Sequence, residues 1–135
     1  MQKIFFGLII LNNFLFCGDI FLEVENINQE CKILKIGLYN SKDGFPNIAK
    51  AYKGVDIKAK SPKITHTFTE IPNGSYALAL FCDENQNKKL DTNFVGIPKE
   101  AYGFSNNPKV FGMPSFEDAR FELKDKINLN IEVQK

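Results

Sequence analysis

The residues best suited to chemistry carry oxygen and fall in one stretch. In Asp83-Glu84-Asn85-Gln86-Asn87-Lys88-Lys89-Leu90-Asp91, the side chains of Asp83, Asn85, Asn87 and Asp91 occupy positions 1, 3, 5 and 9 of a tight loop. This is the spacing with which calcium loops present oxygen to a hard cation. Leu90 stands where such loops carry an apolar residue that anchors them to the core. The stretch departs from the pattern in three ways. Lys88 replaces the glycine of the sharp turn, Lys88 and Lys89 add positive charge, and Phe94 takes the place of the bidentate glutamate at position 12. A site built on Asp83, Asn85, Asn87 and Asp91 is therefore expected to hold calcium weakly, or to draw a further carboxylate from Glu100, Glu117 or Asp118. The competing reading makes the same Asp and Asn side chains turn formers that hydrogen-bond the loop's own backbone.

Other reactive types are sparse. His66, the only histidine, lies in the alternating run Thr65-His66-Thr67 and reads as a surface residue of a strand. Ser105 and Ser115 lie outside any nucleophile-elbow context. Glu100, Glu117 and Asp118 would serve a small hydrolase or carbohydrate-active enzyme if two of them stood about 5 to 9 Å apart. Cys17, Cys31 and Cys82 lack the spacing of a zinc site.

The elements that must position these residues are strands. Ile20, Leu22 and Val24 alternate with Phe21, Glu23 and Glu25, and Leu34, Ile36 and Leu38 alternate with Lys35 and Gly37. Val55 and Ile57, then Ile64 and Phe68, mark two more short strands around Ser61-Pro62. Ile71-Pro72-Asn73-Gly74-Ser75-Tyr76 reads as a hairpin turn. After it, Tyr76, Leu78 and Leu80 share one face while Ala77, Ala79 and Phe81 share the other, which predicts a central strand covered on both sides. Residues 120–123 and 127–133 supply the last strands, with Lys124-Asp125-Lys126 turning between them. From Asp83 to Ala119 the chain is polar and rich in Gly, Pro and Asn, longer than structureless connections usually are. The aromatics Phe94, Tyr102, Phe104, Phe111 and Phe116 predict an ordered loop over one end of a sandwich. The fold class expected is all-β: a single immunoglobulin-like or transthyretin-like sandwich of about seven strands with one long ordered loop.

The first residues bear on location. Met1, Gln2 and Lys3 precede an apolar run over 4–16, broken by Gly7, Asn12 and Asn13, and charge returns at Asp19 and Glu23. The run is shorter than the roughly 20 residues a spanning helix needs, so it reads as a signal peptide over 1–18 followed by a sandwich domain over 19–135. The mature chain is then periplasmic or secreted, with no transmembrane helix. Ordinary secretion is preferred to a lipid anchor on Cys17, because Phe16 stands where lipoprotein signals carry a small residue. An immunoglobulin-like order would bring Cys31 near Cys82. Cys31, however, is out of step with Leu34, Ile36 and Leu38, while Cys82 is in step with Leu78 and Leu80, so without a bulge free thiols are expected. With 17 Lys plus Arg against 16 Asp plus Glu, dispersed along the chain, nothing steers it to nucleic acid.

The succession Asn73-Gly74-Ser75-Tyr76-Ala77, Phe81-Cys82-Asp83-Glu84-Asn85, Lys89-Leu90-Asp91-Thr92-Asn93, Gly96-Ile97-Pro98-Lys99-Glu100, Tyr102-Gly103-Phe104-Ser105-Asn106 and Pro114-Ser115-Phe116-Glu117-Asp118-Ala119 resembles the bacterial family DUF2141. The resemblance spans most of the mature chain and implies an exported β-sandwich with no established activity. Two positions depart from the family's pattern: Cys82 stands where a histidine usually precedes the Asp, and Lys88 where glycine is usual. Any ligand role of that histidine in relatives is in doubt here. The Asn73-Gly74-Ser75-Tyr76 turn also resembles that of transthyretin-like and carboxypeptidase-regulatory-like sandwiches, a likeness of fold alone. Together these features favour an exported, non-enzymatic module for an envelope ligand or protein, with calcium as the candidate cofactor. The hydrolase and a purely structural envelope protein are the alternatives.

Overall fold

The computed structural model describes residues 16–88, 90, 94 and 98–135. They form eight strands, β1 (Cys17–Glu25), β2 (Ile33–Tyr39), β3 (Lys53–Lys58), β4 (Ile64–Pro72), β5 (Gly74–Asp83), β6 (Tyr102–Phe104), β7 (Arg120–Leu123) and β8 (Lys126–Glu132), with a 3-10 turn at Ile48–Lys50 and one short α-helix, α1 (Phe116–Ala119). The count exceeds the expected seven because three residues of the long connection, β6, pair with β5.

The strands make two sheets. One has the order β4-β1-β8, and the other runs β3-β2-β5-β6 with β7 also paired to β5. Alternation decides which side chains enter the space between them. Ile20, Leu22 and Val24 from β1 meet Leu34, Ile36 and Leu38 from β2 and Tyr76, Leu78 and Leu80 from β5, all buried in one cluster. β1 pairs in parallel with β8, so Ile20 faces Ile127, Leu22 faces Leu129 and Val24 faces Ile131. A parallel pair cannot be closed by a hairpin, and here the strands that make it are the first and last described.

Two turn signals act differently from what their residues suggest. Asn73-Gly74 does not close a hairpin: β4 pairs with β1 and β5 with β2, so the chain changes sheet there. Asn73 pins that corner, its side-chain oxygen accepting the Asp125 N–H at 3.1 Å. Lys124-Asp125-Lys126 likewise carries the chain from β7 in one sheet to β8 in the other. Gly18 lies under this second corner, where a Cβ would run into the Asp125 backbone.

β5 is buried on both faces from Tyr76 to Asp83, as its sequence predicts. The cover on its outer face is a second cluster in which Tyr39, Ala77 and Ala79 meet Phe104, Phe116 and Ala119, with Phe45, Ala51 and Tyr102 around them. The described second half of the long connection, residues 98–119, thus lies across the outer face of the larger sheet and not over one end of the sandwich. Tyr102, Phe104 and Phe116 are the aromatics that hold it there, whereas Phe94 and Phe111 are fully exposed.

The thiols contradict the expectation from parity. Cys31 and Cys82 form a disulfide with Cα atoms 5.1 Å apart. Parity would govern Cys31 only if β2 already included it. The strand begins at Ile33, and Cys31 closes the preceding turn, its N–H donating to the Asn28 carbonyl, so strand alternation does not govern where its side chain points.

Candidate functional site at the end of β5

β5 ends at Asp83, a fully buried acid directly after the disulfide-bonded Cys82. Its carboxylate accepts the Asn87 N–H at 3.1 Å and the Lys88 N–H at 2.7 Å. Asn85 accepts the same Asn87 N–H at 3.1 Å. The loop therefore winds around the Asp83 side chain, and Gln86 and Lys88 take left-handed backbone angles, with φ of 60° and 65°. Lys88 adopts the conformation for which calcium loops use glycine at position 6, at a cost of about 1 to 2 kcal/mol for a residue with a Cβ. In this arrangement the Asp83 and Asn85 oxygens hydrogen-bond the loop's own backbone.

Surrounding groups hold this end of the sheet. Glu100, itself buried, accepts the Glu84 N–H at 2.6 Å, so one of the three carboxylates considered as a further ligand does reach the loop. Lys135 bridges Glu84 at 3.0 Å and Glu30 at 2.9 Å, and these two hydrogen bonds, Glu30 first, hold its ammonium above the ordinary lysine range. Leu90 is half-buried and lines a small void with Ile48 and Phe81. Asp91 lies outside the described residues. Among the described residues no three His, Cys, Asp or Glu side chains are grouped to hold one metal ion.

The other acids lie elsewhere. Asp118 caps α1, accepting the Ser115 N–H at 2.9 Å while Ser115 accepts its N–H at 3.2 Å, a capping box that fixes both side chains. Glu117 is exposed and 3.4 Å from Arg120. Helix α1 is tied to β5 at Leu78 through Ser105, whereas Glu100 stands beyond Asp83. Glu100 and α1 are therefore attached at different points along β5, at Glu84 and at Leu78.

Ser105 is fully buried, and its role is in the ladder of β5. β7 pairs with Gly74 to Ala77 and β6 with Ala79 to Phe81, which leaves Leu78 between them. The Ser105 N–H donates to the Leu78 carbonyl at 3.0 Å, the Ser105 hydroxyl accepts the Leu78 N–H at 2.9 Å, and that hydroxyl also bonds the Ala119 carbonyl. His66 is half-buried, on the inward-facing set of β4 with Ile64 and Phe68 and not on the outer surface expected for it. Its ring meets Phe68 edge-on at 4.7 Å, and burial lowers its pKa below 6.5. Tyr39, almost wholly buried, has no hydrogen-bond partner for its hydroxyl among the described residues, and burial pushes its pKa upward.

Fold and site define an all-β sandwich with a wound, acid-centred loop at the end of its central strand. The family DUF2141, described as an uncharacterized protein conserved in bacteria, matches residues 22–131, and the chain belongs to it. No curated protein and no solved structure matches the chain.

Proposed function

We propose that the chain is an exported, non-catalytic binding module whose Asp83–Asp91 loop takes up calcium weakly. The observation that carries the reading is the buried Cys31–Cys82 disulfide immediately before Asp83. It supports an oxidising compartment, in keeping with the charged start and apolar run over 1–16, and it clamps the root of the loop to the turn before β2. The winding of the loop around Asp83 supports the cation: oxygen groups of Asp83, Asn85 and Asn87 are gathered on one short segment, with Asp91 four residues further on. Two lysines and the absence of a glutamate at position 12 put the affinity in the weak extracellular range, about 10⁻⁴ to 10⁻³ M.

Binding to the folded state alone stabilises it by mass action, so roughly 10 mM calcium is expected to add about 1.4 to 2.7 kcal/mol. This corresponds to a rise in Tm of roughly 5 to 10 °C. Magnesium should do less, because it demands near-octahedral geometry and dehydrates reluctantly. Melting the wild type and Asp91→Ala across a calcium titration checks this. A wild-type midpoint that stays still at millimolar calcium removes the cation and leaves Asp83 as a turn former. Amino-terminal sequencing of the protein from the cell envelope checks export: a terminus near Cys17 or Gly18 is expected, and an intact Met1 in the cytosol overturns it.

A further inference from the structure

The outer face of the β4-β1-β8 sheet carries an arrangement that the packing of the domain does not require. β1 is the central strand of this sheet, and its outward Phe21 is 40% exposed. Registration puts Thr67 on one side of Phe21 and Asn128 on the other. The next outward row is Thr65, Glu23 and Asn130. The two rows lie about 7 Å apart along the strands, and the three strands span about 10 Å. Together they line a shallow trough of about 400 Å³.

Two features set this face apart from an ordinary solvated one. Asparagine is depleted in strands, yet β8 presents two of them outward in succession, beside an aromatic ring that lies outside both core clusters and is partly exposed. Moreover, the side chains of Thr65, Thr67, Asn128 and Asn130 make no hydrogen bond to the described residues and are exposed, so their donors and acceptors are left for a ligand. The charge of Glu23 is offset by Lys63 at 2.6 Å, and the centre of the trough is otherwise uncharged.

We propose that this face is a binding platform for a neutral polysaccharide. A sugar ring has an apolar C–H face and a rim of hydroxyls, and the trough offers their complements: one exposed ring for the face, with amides, hydroxyls and a carboxylate around it for the rim. The neutral centre selects against polyanions, which would meet Glu23 without a basic cluster to hold them. An apolar partner would leave the amides of Asn128 and Asn130 desolvated and unpaired. The platform is separate from the Asp83 loop, so it stands or falls independently of calcium.

Affinity electrophoresis of the full chain, with chelator present, tests the proposal in gels containing hydroxyethylcellulose, mixed-linkage β-glucan, glucomannan, dextran or glycol chitin. Retardation by at least one polymer is expected. It should weaken about tenfold or more in Phe21→Ala, return in Phe21→Trp and weaken several-fold in Asn130→Ala. Titrating the wild type with the matching oligosaccharide should move the amide resonances of Phe21, Glu23, Thr65, Thr67, Asn128 and Asn130, a readout that needs no variant to fold. Four results would overturn the platform: no retardation by any of the five polymers, retardation only by an anionic polymer such as alginate, retardation unchanged in a folded Phe21→Ala, or resonance shifts confined to another face. A dimer in light scattering that Phe21→Ala dissociates would assign the face to a second copy of the chain instead.

Discussion

Ser105 shows how one side chain can substitute for a missing strand. Without it, Leu78 would have a buried N–H and carbonyl in the gap between β6 and β7, and an unsatisfied buried group costs about 1 to 3 kcal/mol. Ser105→Ala keeps the backbone bond but removes the hydroxyl acceptor. We expect chemical denaturation to report a loss of about 1 to 3 kcal/mol, with hydrogen exchange faster at the Leu78 amide. His66 provides a second residue-scale expectation. Burial against Phe68 favours the neutral ring, so its folded pKa lies below the unfolded value near 6.5. The unfolded chain then binds more protons as the pH falls, and its contribution to stability, complete above about pH 6.5, is lost on acidification toward the folded value. The difference in stability between pH 7.5 and pH 5 should therefore narrow in His66→Phe; an unchanged difference would show that the histidine does not couple to folding.

At the scale of elements, the disulfide joins the turn before β2 to the end of β5 across 51 residues. Loop-closure entropy in the unfolded chain gives such a link about 4 kcal/mol. Cys31→Ala with Cys82→Ala is expected to lower stability by about 2 to 5 kcal/mol. Intact-mass measurement should show a gain of two hydrogens when the wild type is reduced. No gain would show free thiols and return the strand-parity argument to force. The edges of the smaller sheet also need an account. On β8, Asn107 donates its side-chain amide to the Asn130 carbonyl at 3.1 Å and accepts the Glu132 N–H at 2.9 Å, as a neighbouring strand would. One asparagine so blunts an edge that would otherwise be open to pairing with another chain.

For the whole molecule, the parallel meeting of β1 and β8 ties the two ends of the domain into one core. Removing residues 126–135 would delete Ile131 and Val133 from that core and leave β1 paired with β4 alone, so we expect the truncated chain not to fold; a cooperative melt of the truncated protein would refute this. The same topology divides what could be read from residues from what could not. The alternation in β1, β2, β5 and β8, the double-sided burial of β5 and the oxygen spacing after Cys82 follow from the periodicity and chemistry of local segments, because a strand's inward and outward faces are set by its own residues. Partner choice is not local. Asn73-Gly74 carries a hairpin's residues but turns between sheets, since Gly74 and its neighbours find β7 and not β4. Cys31 and Cys82 pair because a turn outside the strand sets the direction of Cys31. Three residues of a Gly- and Asn-rich stretch become β6 because β5 offers them an open ladder, and Thr67, Phe21 and Asn128, remote from one another in the chain, share a row only through register. Sequence alone determined the longer strands and which of their faces are apolar; the tertiary structure added β6 and decided which strands meet, because pairing free energy comes from backbone groups that every strand presents alike.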